Sequence, residues 1–138
     1  MKNKLLYKSI FSFYILIFLP GLLFAQSYSA SESLSKSAAV PEGVDIVFTN
    51  KSADLIINTT NENVISIKTD IKVTGRSEED VNLIIESIKN FEFEQHGNTF
   101  EIDTRFYKNM MSIGIRSTMT LLNGEKVRIK DFEVQHEL

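Results

Sequence analysis

Between Asn63 and Gly75 the chain reads NVISIKTDIKVTG, and apolar and polar residues alternate through it. Ile65, Ile67, Thr69, Ile71 and Val73 fall on one face, and Ser66, Lys68, Asp70, Lys72 and Thr74 on the other. A period of two over that length predicts a strand with one buried and one wet face. Burial on one side only is a mark of antiparallel sheets rather than of parallel sheets covered on both faces. The period then changes. In SEEDVNLIIESIKN, Val81, Ile84, Ile85 and Ile88 follow the i, i+3, i+4, i+7 spacing of a helix with one apolar stripe. Ser77 is a natural N-cap, and Asp80 stands three residues later, as in a capping box. Glu78, Glu79 and Asp80 put negative charge where the helix dipole favours it. Residues 77–90 are therefore predicted as one amphipathic helix, lying on the apolar face of the 65–73 strand.

Strand signals surround this pair. VDIVFTN (44–50) and ADLIINTT (53–60) are short apolar runs closed by turn formers. After the helix, FEFEQ and TFEIDTR flank the turn HGN and predict a hairpin with Phe91, Phe93, Phe100 and Ile102 facing in. FYKNMM fits neither period. SIGIRSTMTLL and EKVRIK flank Asn123-Gly124, the signature of a two-residue type I′ hairpin. The final DFEVQHEL alternates again. Phe132 and Val134 are one residue out of phase with Val127 and Ile129, so a bulge at Asp131 is needed to keep all four on one core. The resulting expectation is an α+β fold, mostly antiparallel β, with one helix at about 77–90 packed on a sheet built of hairpins, in a single domain over 44–138. Gln26 to Gly43, rich in Ser and Ala, has few large apolar side chains and reads as a flexible leader or an irregular first strand.

The first 25 residues follow another logic. Lys2, Lys4 and Lys8 precede an apolar run that ends in Pro20-Gly21 and Leu23-Phe24-Ala25. A basic start, an apolar core too short to cross a bilayer and a small residue at the end describe a cleaved signal peptide over 1–25. The protein is thus expected to be exported, to the periplasm, the outer surface or the extracellular space. No Cys follows the apolar run, so it is not a lipoprotein. The chain has no Cys at all, which excludes disulfides, thiolate metal sites and a Cys nucleophile. Loss of the three leader lysines leaves 12 basic residues against 18 acids and takes the formal charge from −3 to −6. That balance argues against a nucleic-acid partner, which needs a clustered basic face.

Candidate chemistry is sparse. His96 lies in the QHGN turn and His136 near the end of the sequence, with no HxxxH or HExxH spacing, so neither a metal nor a cofactor is implied. No serine occupies a Gly-x-Ser-x-Gly elbow. The carboxylates of SEED lack calcium-loop spacing, and helix capping accounts for them. Asn50-Lys51-Ser52 and Asn58-Thr59-Thr60 fit an acceptor triplet too short to carry weight. One strip remains. Lys126, Arg128 and Lys130 alternate along one strand and form a candidate ligand-facing basic surface, against the plainer reading of a solvated face that deters edge pairing.

The stretch VDIVFTNKSADLIINTTNENVISIKTDIKVTGRSEEDVNLIIESIKNFEFEQHGNTFEIDTR resembles the amino-terminal region of secreted bacterial proteins grouped as candidate adhesins, the domain of unknown function 4097-like family. The resemblance covers roughly Val44 to Leu138 and rests on alternation patterns, not on catalytic signatures. It implies a non-enzymatic domain with envelope or extracellular glycans or proteins as partners, and the start of a β-solenoid after DFEVQHEL. Here nothing follows that segment, which implies a domain incomplete at its carboxyl end. The last strand would then be an unpaired edge open to self-association. The alternative is a small periplasmic binding module with a pocket between helix and sheet.

Overall fold

In a computed structural model, residues 27–51, 53–56 and 63–138 are described. The segment expected to be a signal peptide, 1–25, the triplet at Asn58 and the second half of ADLIINTT lie outside the described residues. The elements in order are β1 (Tyr28–Ala39), β2 (Asp45–Thr49), β3 (Asp54–Ile56), β4 (Val64–Gly75), α1 (Glu78–Lys89), β5 (Phe93–His96), β6 (Thr99–Asp103), β7 (Tyr107–Ile113), β8 (Arg116–Leu121) and β9 (Lys126–Glu137). They build two sheets. The large one runs β1-β4-β9-β8-β7, with β3 also paired to β9; the small one runs β2-β6-β5. All ladders are antiparallel except β2–β6 and β3–β9.

β4 keeps the alternation that its sequence demands. Ile65, Ile67, Thr69, Ile71 and Val73 are buried, whereas Ser66, Lys68, Asp70 and Lys72 are exposed. Its inner face is covered by two elements rather than one. Ile71 and Val73 meet Val81, Ile84, Ile85 and Ile88 of α1, in a core completed by Phe106, Met119, Leu121, Val127, Ile129 and Val134. Ile65 and Ile67 meet Phe91, Phe100 and Ile102, so the small sheet takes over where the helix ends. Helix and small sheet thus lie side by side on one face of the large sheet.

The helix starts as its sequence predicts. Ser77 is extended (φ −140°, ψ 160°) and its Oγ accepts from Asp80 N–H at 3.1 Å. Asp80 answers through its side chain: Oδ2 accepts from Ser77 Oγ–H at 2.8 Å, where a longer Glu would reach the cap's backbone. Oδ1 accepts from Arg128 N–H at 3.1 Å and so ties the first turn of α1 to β9. Gly75 allows that approach, because a Cβ there would stand 2.8 Å from Val81 Cγ2 and 3.3 Å from Arg128 O.

Four expectations change. The stretch read as a flexible leader or irregular strand is a regular 12-residue strand over 28–39, paired along its full length with β4. Its inward apolar positions carry one Leu, Leu34, between Ala30 and Ala38, which is why composition hid it. SIGIRSTMTLL is not one strand. Gly114, at φ 60°, turns the chain with Ile115, and Ile113 pairs with Arg116 across the turn. The Asn123-Gly124 hairpin forms with three loop residues rather than two: Gly124 N–H donates to Leu121 O at 3.0 Å and Leu121 N–H to Glu125 O at 2.9 Å. Only the glycine then has to take the left-handed conformation, at φ 94°, in a G1-bulge hairpin.

The fourth correction concerns DFEVQHEL. It is not an unpaired edge. β9 is an interior strand, with β4 along one side, and β8 (at Lys126–Ile129) and β3 (at Gln135–Glu137) along the other. Self-association through a terminal edge therefore loses its basis. The phase reset is real: Thr74 pairs with Asp131 and Gly75 with Ile129, which leaves Lys130 as the bulged residue. Val127, Ile129 and Val134 are all buried in the helix core, with Phe132 packed against it.

Candidate functional site

Burial of Val127 and Ile129 toward the helix turns Lys126 and Arg128 to the opposite, outer face of the large sheet. Thr120 and Thr118 stand beside them on β8, and Lys130 projects from the bulge. All three basic residues are exposed. Arg128 leans over the sheet end, where Nε is 3.6 Å from Asp80 Oδ2, yet its side chain stays 68% exposed. The guanidinium remains available to a ligand. Farther along β9 the outer face changes sign: Asp131 and Glu133 stand opposite Thr74 and Lys72, and Glu137 opposite Lys68. Lys68 also donates to Asp70 Oδ2 at 2.9 Å. That bond raises the ammonium's pKa, and the bonds from Lys68 and Ser33 lower that of the Asp70 carboxyl. Basic charge is thus concentrated at the β8–β9 end of this face, with Asp80 beside Arg128 at its margin.

The two histidines are far apart in role. His96 is exposed and sits 2.9 Å from Glu94 Oε2. His136 is 1% exposed, at the seam between the helix-covered and sheet-covered halves of the core. Its Nδ1 is 2.9 Å from Thr69 Oγ1 on the adjacent strand, and its ring is edge-on to Phe48 and Phe91 at 6.1 and 6.2 Å. Nε2 is buried without a hydrogen-bond partner. Burial lowers the imidazole's pKa, because the charged form would lose its hydration. Position in phase with Phe132 and Val134 was the available signal, and it marks a core residue rather than a ligand. Among the described residues, no group of three or more His, Asp or Glu side chains is placed to hold a metal ion.

Two surfaces escape the sequence reading. A cleft of about 410 Å3 at the carboxyl end of α1 brings together Glu92, Glu94, Glu101 and Asp103, from the β5–β6 hairpin and the residue before it. Arg105 binds the Asp103 carboxylate through Nε at 2.9 Å and holds its pKa below the usual carboxylate value. The other surface is β7, where Met110, Met111 and Ile113 are exposed. The space between helix and sheet, by contrast, is filled. Ile84 and Val81 are fully buried against Val73, Met119, Leu121 and Val127, so the pocket expected there has no room.

No protein-family model, curated protein or solved structure matches the chain.

Proposed function

We propose that the chain is an exported, non-enzymatic, adhesin-like β-rich domain of the cell envelope or extracellular space, which binds anionic glycans through Lys126, Arg128 and Lys130. The observation that carries this reading is the strip itself: three exposed cations along the outer side of β9, with Lys126 and Arg128 held in register by pairing with β8 and Lys130 at the bulge. A strand fixes alternate side chains about 7 Å apart, a repeat suited to successive charges on an extended polyanion. The basic, apolar and small-residue order of the first 25 residues supports export. The chain's acidic balance weakens diffuse attraction to polyanions, so binding is confined to the strip.

The test immobilises sulfated dextran and lipopolysaccharide and measures binding of the purified chain by biolayer interferometry. Binding should weaken as salt rises, and by at least about tenfold in the triple variant Lys126→Ala, Arg128→Ala, Lys130→Ala. Lys72→Ala, on the same face beside Glu133, should leave it unchanged. Equal binding by the triple variant, or none by the natural chain, overturns the reading.

A further inference from the structure

The two outer strands of the large sheet are finished differently. β1 carries Ser29, Ser31, Ser33, Ser35 and Ser37 on its outer side, and Glu32 and Lys36 among its other positions. Such an edge resists pairing with another chain. At the opposite end, β7 exposes 46% of Met110, 66% of Met111 and 73% of Ile113, and Ile115 in the adjoining turn is 92% exposed. Its single charge is Lys108, at the irregularity between Tyr107 and Asn109. From Asn109 to Ile113 none of the usual guards of an edge strand is present: no charge, no proline, no bulge.

We propose that β7 is the contact through which two copies of this chain pair, edge to edge and antiparallel, about a twofold axis at Met111. Three observations single out a second copy as the occupant. The first is backbone direction. The two-residue turn closes on the Ile113–Arg116 pair, and ladder bonding alternates from there, so Ser112 and Met110 turn their N–H and C=O away from β8 to the free edge. A twofold at Met111 sets Met110 of one copy opposite Ser112 of the other and the reverse, so the outward groups meet each other. The second is charge. The same register sets Lys108 opposite Gly114 and brings no like charges face to face. The third is area. Taking ~200 Å2 for a free Met or Ile residue, Met111 and Ile113, which alternation puts on one face of β7, leave on the order of 300 Å2 exposed per copy, with Met110 adding to it on the other face. Edge-to-edge pairing covers part of this, so the contact is smaller than ~1,000 Å2 and belongs with the weak, concentration-dependent interfaces.

Antiparallel pairing about an axis normal to the sheet would join the two large sheets into one and keep both outer faces on the same side. The inference goes beyond the glycan reading and does not depend on it, because none of the basic strip lies on β7.

The test is sedimentation velocity of the purified chain from about 1 to 100 μM, with two substitutions. The natural chain should pass from monomer to dimer across that range. Met111→Lys sets two ammonium groups against each other at the axis and should weaken the dimer at least about tenfold, with an unchanged far-ultraviolet spectrum. Because the chain has no Cys, Met111→Cys adds a single thiol that should form a covalent dimer on mild oxidation, well ahead of the more exposed Ile113→Cys. A chain still monomeric at 100 μM overturns the proposal. So does equal cross-linking at both positions, and so does a dimer that Met111→Lys leaves intact.

Discussion

Asp80 offers the sharpest test of how helix and sheet are joined. Its carboxylate accepts from Ser77 Oγ–H and Arg128 N–H and lies in the first turn of α1, while only 13% of the side chain is exposed. Asp80→Ala removes both acceptors and strands the Arg128 N–H at a half-buried junction. A hydrogen bond to a charged acceptor contributes about 1.5–3 kcal/mol, and the carboxylate at the helix start about 0.3–1 kcal/mol more. A loss of about 2–4 kcal/mol is expected. Glu79→Ala, in the same turn but facing solvent, should cost well under about 1 kcal/mol. Asp80→Asn keeps an oxygen for Arg128 N–H and should fall between, near about 1 kcal/mol. Ser77→Ala, which removes the cap oxygen, should match it at about 1 kcal/mol. Urea unfolding followed by circular dichroism separates these values. With a slope of about 1–1.5 kcal/mol/M for a domain of this size, Asp80→Ala should lower the midpoint by roughly 2 M. If it behaves like Glu79→Ala, or if Asp80→Asn costs as much as Asp80→Ala, the tie to β9 is not what stabilises the junction.

Two further predictions follow from buried contacts. His136 has a folded pKa below its ordinary 6.5, so below pH 6.5 the unfolded chain takes up a proton that the folded chain refuses. Its contribution is full above pH 6.5 and is lost on acidification toward the lowered folded value, with a slope of at most about 1.4 kcal/mol per pH unit. Urea midpoints between pH 7.5 and 5 should show that slope in the natural chain and not in His136→Phe, and parallel slopes would refute it. Gly75→Ala drives a methyl group into Val81 and the Arg128 carbonyl and should cost about 1–3 kcal/mol in the same assay. Combined with Val81→Ala it should cost less than the sum of the two, and strict additivity would mean that the close approach is unimportant.

Local pattern made part of this fold legible. The alternation of β4, the capped stripe of α1, the Phe93–Ile102 hairpin and the phase jump before Asp131 are each written within a dozen neighbouring residues. Pairing between distant segments is not written that way. Nothing in VDIVFTN says that β2 will run parallel to β6, and nothing in DFEVQHEL says that its free side will receive Asp54–Ile56. In the sequence β1 reads only as a flexible leader or an irregular first strand, because Ser alternates there with Ala, Glu, Leu and Lys, which carry little apolar contrast. The basic strip was legible because strand alternation alone decides which way Lys126 and Arg128 point. The apolar edge was not, since its meaning depends on β7 being outermost, which only the strand order reveals.

The interior place of β9 bears on the timing of folding. Among the described strands it is the last to be synthesised, yet it joins β4 to β8 and holds β3 in place. Asp54 and Gln135 pair across about 80 intervening residues, a loop closure that must precede any gain from the contact. Until residues 126–137 are available, β4 has β1, α1 and the small sheet to hold, and the β7–β8 hairpin has no strand of the large sheet to join. A chain of this design closes its large sheet only when its last described strand arrives.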